Sequence, residues 1–552
     1  MAEADVKPID AAAVQQLVTT IDAVLREALE VASKRTDGGK NIDDEQVHCE
    51  RLAYAATEVA AARDLVAYAQ GATQHGDPLA TEMAGVFAAE VAQRVAGTID
   101  AHTTEFGLSD DRLHQTLAAA ATKALIRDAL SDARVRAIGR QVMQQRGVNH
   151  GWIDNELALM TRDSVRQFAE AEIVPIAEHI HRHDDLVPDA IISKMSELGF
   201  FGMSVPEEFG GQGMGNLPMI ITTEELSRCS LAAAGSLITR PEILTKALLK
   251  GGTDPQKKKW LAPIAAGQIM VGISVTEPDT GSDVASVKCR ADAGEVGGKK
   301  GYLVNGAKAW CTFAGRANVL ALLARTDPDF KKGARGLSLF IVEKDAFPGH
   351  EFEMKQATGG VMQGKADRTP GYRGMHSFTL SFDNYFVPAE NLVGEQGGLN
   401  KGFYLQMGGF AAGRLQTGGR ATGLSQAALE RTAEYANDRK QFGQPIGQFQ
   451  LTQYKLGRMA TAVMAGRQLT YAAALKMDED ESIALEPAMA KLFASDVAVW
   501  VTQEGQLLHG GWGYAEEFPI SRYVVDATVL PIFEGVKPIL ELKVIARNLL
   551  GG

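Results

Sequence analysis

The apolar residues at both ends of the chain recur with the period of a helix. In residues 1–145 they lie three and four positions apart, and the same spacing returns in 153–265 and from about 400 to the end. Such spacing gives each helix one apolar face. Asp- and Gly-rich breaks divide the first block into several helices. The first of these helices carries its apolar face on Val14, Leu17, Ile21 and Leu25.

The pattern changes to short β-rich runs between about 266 and 398. Runs such as GISVTEP, ANVLALLART and SFTLSFDNYFVP are separated by Gly, Asp and Asn turns, which predicts a small antiparallel barrel or sandwich. The expected fold class is mostly α with a central β domain and an extra N-terminal helical domain. A polar break, RGVNHGW (146–152), is the expected linker. The expected domains span 1–150, 151–268, 269–398 and 399–552.

Two segments of the extra N-terminal domain resemble segments of the C-terminal helical domain. RLAYAATEVAAARDL (51–65) resembles KLGRMATAVMAGRQL (455–469), and MAGVFAAEV (83–91) resembles MAKLFASDV (489–497). We interpret the extension as a degraded copy of the C-terminal helical layer, with chance similarity between Ala-rich helices as the alternative. The copy is expected to have no counterpart of DRKQFG (438–443).

Composition narrows the class of protein. The 552 residues, 45 % hydrophobic and 22 % charged, are typical of a globular protein of several domains. A formal net charge of −12 opposes binding to nucleic acid or to an anionic membrane. The apolar runs are too short to span a bilayer, and the N-terminus lacks a signal-peptide pattern. Since the four cysteines are scattered, a reducing compartment, the cytoplasm, is expected.

The run HIHRHDD (179–185) raises the question of a metal site. His179 and His183 are four positions apart, so a helix would present both imidazoles on one face. The sequence offers no evident third ligand, and a solvated, charged helix end accounts for the run. No metal is therefore expected.

One carboxylate near the C-terminus is the leading candidate for catalysis. In PIFEGVKPILELKVIAR (531–547), Glu534 stands in a Phe-Glu-Gly turn between an apolar run and an amphipathic helix. A carboxylate in such surroundings is poorly solvated, and a poorly solvated carboxylate is a usable base near neutral pH. Taken alone, the turn is also typical of an ordinary helix end.

Four further segments occur with this turn in one order along the chain. They are VTEPDTGSD (275–283), NGAKAWCTFAG (305–315), NDRKQFGQPIGQFQ (437–450) and HGGWGYAEEFPISRYVVD (509–526). In sequence and order they resemble the acyl-CoA dehydrogenase family, and the resemblance covers residues 155–550. It implies that family's fold, a helical domain, a β-barrel or sandwich and a helical bundle, with FAD as the cofactor.

The resemblance implies flavin contacts in the β domain. Val275 and Thr276 would contact the flavin, and Ser282 would lie near both the flavin and the bound thioester. Trp310 would lie against the isoalloxazine, and Thr312 would hydrogen-bond near N5.

In the C-terminal domain the resemblance implies contacts to the FAD of a neighbouring subunit. Arg439 would pair with the pyrophosphate, for which a planar guanidinium is suited, and Phe442 would pack on the cofactor. Gly510 and Gly511 would allow close approach of the backbone. The family's Gln three residues before the first Gly is here Gln506, one position early, which puts that contact in doubt.

The resemblance also implies the reaction, α,β-dehydrogenation of an acyl-CoA thioester. Glu534 would remove the α-proton, the β-hydrogen would leave as hydride to flavin N5, and the Glu534 N–H would bind the thioester oxygen. Some relatives place the base just before an Arg of a C-terminal helix; this chain has Gly413 there, which favours Glu534. Val536 replaces a Thr that often follows the Glu-Gly pair. Electrons would pass to an electron-transfer flavoprotein.

The N-terminal extension and ITRPEIL (238–244) resemble the branch of the family that converts (2S)-methylsuccinyl-CoA to mesaconyl-CoA in the bacterial ethylmalonyl-CoA pathway. In relatives this helix lines the far end of the acyl pocket, where this chain has Arg240. A short dicarboxylic acyl group would need such a cation, and a fatty tail would not tolerate it. A solvated helix end is the alternative role for Arg240. Residues 349–361 are an expected insertion without an assigned role.

Three other functions stay open. A dehydrogenase for another short branched or dicarboxylic acyl-CoA would keep every motif, and an acyl-CoA oxidase would differ by letting oxygen reach the reduced flavin. A DNA-binding member of the same fold is opposed by the net charge.

For assembly, the N-terminal copy would cover in cis the surface that a second dimer covers in tetrameric relatives. A homodimer is therefore expected rather than a tetramer.

Overall fold

The computed structural model describes residues 6–148 and 151–551. The chain forms two compact units. Unit 1 combines Met1–Leu159 with Thr417–Gly552, and unit 2 is Met160–Gln416. The predicted linker (146–152) includes positions 149 and 150, which lie outside the described residues.

Helices occupy both ends of the chain and strands its middle, which confirms the predicted fold class. None of the described helices is long and apolar enough to cross a membrane. The helices before the sheet are α1 Ala11–Arg35, α2 Gln46–Gln74, α3 Leu79–Asp100, α4 Thr103–Phe106, α5 Asp110–Gln115, α6 Ala120–Ala129, α7 Asp132–Gln144, α8 Glu156–Phe168, α9 Val174–His183, α10 Asp189–Glu197, α11 Asn216–Cys229, α12 Thr239–Gly251 and α13 Asp254–Ala265. The strands of the sheet are β1 Val271–Ser274, β2 Arg290–Val296, β3 Lys299–Thr312, β4 Val319–Arg325, β5 Leu337–Glu343, β6 Glu351–Lys355, β7 Val361–Ala366 and β8 Ser377–Pro388. After the sheet come α14 Glu395–Gly398, α15 Gly402–Asp438, the short strands β9 Lys440–Gln441 and β10 Gln444–Pro445, α16 Gln450–Glu479, α17 Leu485–His509, α18 Gly511–Tyr514, α19 Ile520–Ala527, α20 Lys537–Ile539 and α21 Arg547–Gly551.

The first helix is capped at its start, and it packs as its sequence predicts. Asp10 precedes α1, and its carboxylate accepts the N–H groups of Ala12 and Ala13, which satisfies two donors that the helix leaves free. The predicted apolar face is buried along the whole helix, at Val14, Leu17, Ile21 and Leu25.

Within unit 1 the N-terminal helices repeat the order of the C-terminal ones. The elements α1, a 3₁₀ turn at Ile42–Asp44, α2 and α3 correspond to the end of α15, a 3₁₀ turn at Ile446–Gln448, α16 and α17. Phe87 of α3 and Phe493 of α17, which are equivalent in this register, contact each other edge to face with centroids 5.5 Å apart. Contact between equivalent residues marks the axis of a two-fold arrangement.

Polar contacts follow the same pseudo-two-fold axis. The hydroxyl of Tyr54 donates to Asp496 at 2.8 Å. Arg458, the equivalent of Tyr54, donates to Glu90, the equivalent of Asp496, at 2.9 Å. Such reciprocal pairs are typical of an isologous interface, formed here within one chain.

The turns that end α1 and α15 have a left-handed backbone at two equivalent pairs of positions. The angle φ is 63° at Gly38 and 77° at Gly39, and it is 53° at Phe442 and 83° at Gly443. The two turns also differ, because Asp37 has a φ of 52° and its equivalent Gln441 is not left-handed. What the copy lacks is the aromatic side chain of Phe442.

An eight-stranded sheet forms the centre of unit 2. The strand order is β1-β4-β2-β3-β8-β7-β6, and β5 also pairs with β4. Most pairs are antiparallel, as expected, but β1 and β2 pair parallel with β4, so the sheet is mixed. The expected insertion (349–361) supplies β6 and the start of β7, the hairpin at one edge of the sheet.

Helices α12 and α13 pack on one part of this sheet. Two π-helical turns lie near predicted site residues, since Leu231–Gly235 precedes Arg240 and Leu540–Ala546 follows Glu534. Turns of this kind are frequent at functional sites. The core between the helices and the sheet includes Leu248, Trp260, Val271, Val319 and Ile341.

Candidate active site

Glu534 lies half-buried in the turn between α19 and α20 of unit 1. Its φ is 54°, and that of Gly535 is 103°. A left-handed backbone is unfavourable for Glu, so the surrounding structure must hold the turn. The N–H of Lys537 donates to the carbonyl of Pro531 at 3.0 Å and closes the turn.

Two buried cations hold this turn, and the sequence analysis missed both. The Nζ of Lys491, in α17, donates to the carbonyl of Gly535. The guanidinium of Arg420, in α15, lies 4.6 Å from the ring centroid of Phe533. Both side chains are fully buried. Their signal in the sequence was a cation within the apolar face of an Ala-rich helix, where it needs a fixed partner.

A groove of about 620 Å³ in unit 1 joins Arg439 to Gly510 and Gly511. Arg439 is exposed, and its guanidinium has no hydrogen-bond or ion-pair partner among the described residues. A Cβ at Gly510, where φ is 61°, would meet no atom within 4 Å. A free guanidinium beside an open glycine backbone fits the pyrophosphate of the predicted FAD.

Phe442 lies at the tip of the β9–β10 hairpin. Its side chain is 93 % exposed and does not line the groove. An aromatic ring so exposed is typical of an interaction site. This placement is consistent with the predicted contact to the cofactor of a neighbouring subunit.

Other aromatic residues line the groove, and Gln506 does not. The side-chain amide of Gln506 donates to the carbonyl of Gly513 in α18 at 3.1 Å, while Leu507 lines the groove. Tyr435 and His509 stack there at 4.2 Å, with Trp512 beside them. Burial lowers the pKa of His509, so this ring is neutral near pH 7. The aromatic and His residues around the Gly pair were the signal available in the sequence.

In unit 2 the predicted flavin contacts meet where β1 ends beside β3. The β3 backbone donates to the carbonyl of Thr276 at 2.8 Å, next to buried Val275. Trp310 has a φ of 58° and is 58 % exposed. Its ring is therefore accessible to a ligand and is not part of the core. Thr312 is buried, with its hydroxyl 2.9 Å from that of Ser377.

A buried ion pair that the sequence analysis missed fixes the neighbouring turn. The Nζ of Lys308 lies 2.9 Å from Glu277 Oε1 and 2.8 Å from the carbonyl of Val275. The Glu277 carboxylate also accepts two backbone N–H groups. The pair therefore holds the turn that carries Thr276 and the exposed Ser282.

Arg240 is buried near the start of α12, with 4 % of its surface exposed. Among the described residues it has no carboxylate partner. Its guanidinium lies 3.4 Å from the carbonyl of Ser236 and 5.9 Å from the ring centroid of Tyr372. This excludes the alternative of a solvated helix end. Since the helix dipole and the lack of a counter-ion both disfavour a buried cation here, a bound anion would relieve both.

The histidine run that was set aside for want of a third ligand has one in the structure. The Nε2 of His179 lies 3.1 Å from Oδ2 of Asp185. The ligand atoms of these two residues and of His183 lie within 4.8 Å of one another. All three residues are exposed, so this set is open to solvent.

Three family models match the chain. The acyl-CoA dehydrogenase N-terminal domain matches residues 155–268, and the acyl-CoA dehydrogenase middle domain matches 272–385. The acyl-CoA dehydrogenase C-terminal domain matches two segments, 11–111 and 400–550. Because one model matches both segments, the prediction that the extension copies the C-terminal helices is confirmed.

Individual relatives resemble the chain over different lengths. It is 37 % identical to a (2S)-methylsuccinyl-CoA dehydrogenase of Cereibacter sphaeroides, over 97 % of this chain and 96 % of that protein. A solved complex of glutaryl-CoA dehydrogenase with glutaryl-CoA is 32 % identical, with a TM-score of 0.65, over 72 % of this chain and 96 % of that one. A chain from a structure described as an electron-transferring flavoprotein of Acidaminococcus fermentans is 31 % identical, with a TM-score of 0.63, over 71 % and 97 %.

Proposed function

Because the chain belongs to the acyl-CoA dehydrogenase family and is therefore an FAD-dependent acyl-CoA dehydrogenase, we propose that its substrate is (2S)-methylsuccinyl-CoA, oxidised to mesaconyl-CoA. The enzyme class and the cofactor predicted from the sequence are confirmed. The substrate proposal is supported by the relative of that activity, which aligns along nearly the whole chain.

The observation that carries the substrate proposal is the buried guanidinium of Arg240. The free carboxylate of a methylsuccinyl group would give this cation the partner that the protein does not provide. A neutral acyl chain of the same length would leave it buried without a counter-charge, which is strongly unfavourable. The pocket is therefore expected to select a short dicarboxylic acyl group.

Different residues of this chain have different roles in the proposed reaction. Glu534 acts as the general base that accepts the α-proton, and its N–H binds the thioester oxygen. Bound FAD supplies the acceptor for the β-hydride. Lys491 and Arg420 hold the turn of the base, and the Lys308–Glu277 pair holds the turn beside the flavin-facing residues.

Steady-state kinetics of Arg240→Ala test the substrate proposal. Removing one side of a buried charge pair costs on the order of 2–5 kcal/mol, so kcat/KM for methylsuccinyl-CoA is expected to fall at least about 30-fold. The kcat/KM for neutral butyryl-CoA is expected to fall little or to rise. Arg290→Ala, which removes an exposed partner of Asp292, is the control. It should leave kcat/KM for both substrates unchanged. Equal losses for both esters would make Arg240 structural and contradict the proposal.

We also propose that an electron-transfer flavoprotein takes the electrons. The similarity to a chain from a structure described by that name supports this acceptor. An acyl-CoA oxidase would form one H₂O₂ per product in air. Turnover that depends on the flavoprotein, with little peroxide, is the expected result, and stoichiometric peroxide without it would favour the oxidase.

For assembly we propose a homodimer. The reciprocal contacts between the copy and the C-terminal helices support it, because they occupy a two-fold interface within one chain. Exposed Arg439 and Phe442 would then reach the FAD of the other subunit. Light scattering of the full-length protein should give the mass of two chains, and a tetramer would contradict the proposal. Deleting residues 1–150 should expose apolar surface and give tetramers or aggregates.

For location we propose the cytoplasm. All four cysteines are buried and free, which is consistent with a reducing compartment. Fractionation of the source cells with an activity assay is the test, and activity outside the cytoplasmic fraction would contradict it.

A further inference from the structure

Unit 2 contains a cluster of possible metal ligands that the proposed reaction does not use. Asp184 follows α9, His350 immediately precedes β6, and His376 immediately precedes β8. The three residues thus come from three separate segments of unit 2. One of them, His350, belongs to the insertion (349–361) that had no assigned role.

The ligand atoms of these three residues converge on one point. Nε2 of His376 lies 3.1 Å from Nε2 of His350 and 3.1 Å from Oδ1 of Asp184. All three atoms lie within 4.8 Å of one another. In a tetrahedral site with bonds of about 2.0–2.1 Å, neighbouring ligand atoms lie about 3.3 Å apart. The two separations from His376 are therefore close to those between ligands of one metal ion.

Hydrogen bonds alone satisfy this arrangement poorly. A proton on Nε2 of His376 can point at only one of its two neighbours, and without that proton the nitrogen can accept from His350 but faces the lone pairs of the Asp184 carboxylate. A divalent cation at the shared point would satisfy all three atoms. His376 is 6 % exposed, so little water reaches this nitrogen to take the place of such a cation.

The loop before β8 holds His376 in an unfavourable backbone conformation. The angle φ is 60° at Tyr372, 111° at Gly374 and 47° at His376. The loop is anchored where Phe313 N–H donates to the carbonyl of His376 at 2.8 Å. Such strain persists where the surrounding structure fixes it, and it clusters at ligand sites. The position of this imidazole is therefore set by the fold.

The groups around the cluster set its expected affinity. Nε of Arg373 lies 3.5 Å from Oδ1 of Asp184, and its guanidinium also donates to the carbonyls of Thr369 and His181. This fixed cation weakens the attraction of the carboxylate for a metal, so a moderate affinity is expected. His350 is exposed, which leaves a path for entry and room for water as a fourth ligand.

We propose that Asp184, His350 and His376 bind one first-row divalent cation, with zinc favoured by two imidazoles and one carboxylate. The ion links the end of α9 and the insertion to the loop before β8. The sequence analysis expected no metal because it considered ligands within one short run. Here the ligands come from segments far apart in the sequence.

Calorimetric titration of the chelator-treated holoenzyme with ZnCl₂, from micromolar to low-millimolar concentrations, tests the proposal. One equivalent of zinc is expected to bind through this cluster and to raise the Tm. His350→Ala removes an exposed ligand and leaves the core intact, and it should abolish both effects. With Co²⁺ as the probe, ligand-field bands at longer wavelength than the flavin should appear in the wild type and be lost in His350→Ala.

The double variant His179→Ala/His183→Ala is the matched control, because it removes the exposed set at the other side of the α9 end. It should keep the zinc equivalent that His350→Ala loses. The proposal is overturned if the wild type binds no zinc in this range, if His350→Ala binds as the wild type does, or if only the double variant loses binding.

Discussion

Arg35 and Arg439 end equivalent helices in unit 1, yet their surroundings differ. Arg35 donates to Glu45 at 2.8 Å, whereas Arg439 has no partner among the described residues. The next turn has two left-handed positions in both places, with Gly38 where the C-terminal helices have Phe442. The copy keeps an arginine here but pairs it with Glu45, and it has no aromatic side chain in the place of Phe442. Duplicated structure therefore does not imply a duplicated site.

The two halves also differ at a pair of equivalent cavities beside the pseudo-two-fold axis. One cavity has about 10 Å³ of free space and is lined in part by residues 142–148, and the other has about 220 Å³. The segment 142–148 thus lies at one of the two equivalent cavities and not at the other, so the two cavities differ. The equivalent lining residues are Met83 and Met489, Gln426 and Asp22, Leu429 and Leu25, Val463 and Val59, and Arg467 and Arg63.

The largest expected effect is on turnover, which should depend on the Glu534 turn and not on the N-terminal copy. Glu534→Gln should keep FAD and bind substrate, yet turnover should fall by ~10²–10⁴-fold, the usual contribution of a general base. Glu45→Gln, the same substitution at a residue of the copy that pairs with Arg35, should leave turnover unchanged. Stopped-flow measurement of flavin reduction distinguishes them. A near-normal rate in Glu534→Gln would remove this residue from the mechanism.

The paired arginines should differ in their effect on the cofactor. A charge-assisted hydrogen bond is worth ~1.5–3 kcal/mol, so Arg439→Ala should weaken FAD binding by roughly 10–150-fold. Arg35→Ala removes an exposed ion pair and should change stability by less than about 1 kcal/mol, with normal FAD affinity. Fluorescence titration of the apoenzyme with FAD measures both. Similar losses in the two variants would mean that the copy also supports the cofactor.

The smallest expected effect concerns the two cavities. Gln426 accepts a hydrogen bond from Arg467 and donates one to the carbonyl of Gly147, each at 2.8 Å. Gln426→Ala should lower the free energy of unfolding by roughly 1–3 kcal/mol, because buried polar groups lose partners. Asp22, its equivalent, pairs with exposed Arg26, and Asp22→Ala should cost about 0.5 kcal/mol or less. Urea denaturation compares them, and equal losses would contradict the assigned asymmetry.

Local patterns predicted much of this molecule. The apolar period of α1 and the motifs around Glu534 and Trp310 identified elements and family, because each depends on residues close in sequence. Lys491 and His350 were missed, since their contacts join segments far apart in the chain. The parallel pairing of β1 with β4 was missed for the same reason, because strand periodicity does not specify the neighbour of a strand.

The central claim is that this flavoprotein oxidises (2S)-methylsuccinyl-CoA, and its flavin reports the reaction directly. Anaerobic titration of the FAD-loaded protein with this thioester, followed by absorbance, is the most direct test. We expect the oxidised flavin band to bleach at about one equivalent per FAD, with much weaker bleaching by butyryl-CoA. Equal or stronger bleaching by butyryl-CoA, or none by methylsuccinyl-CoA, would contradict the account.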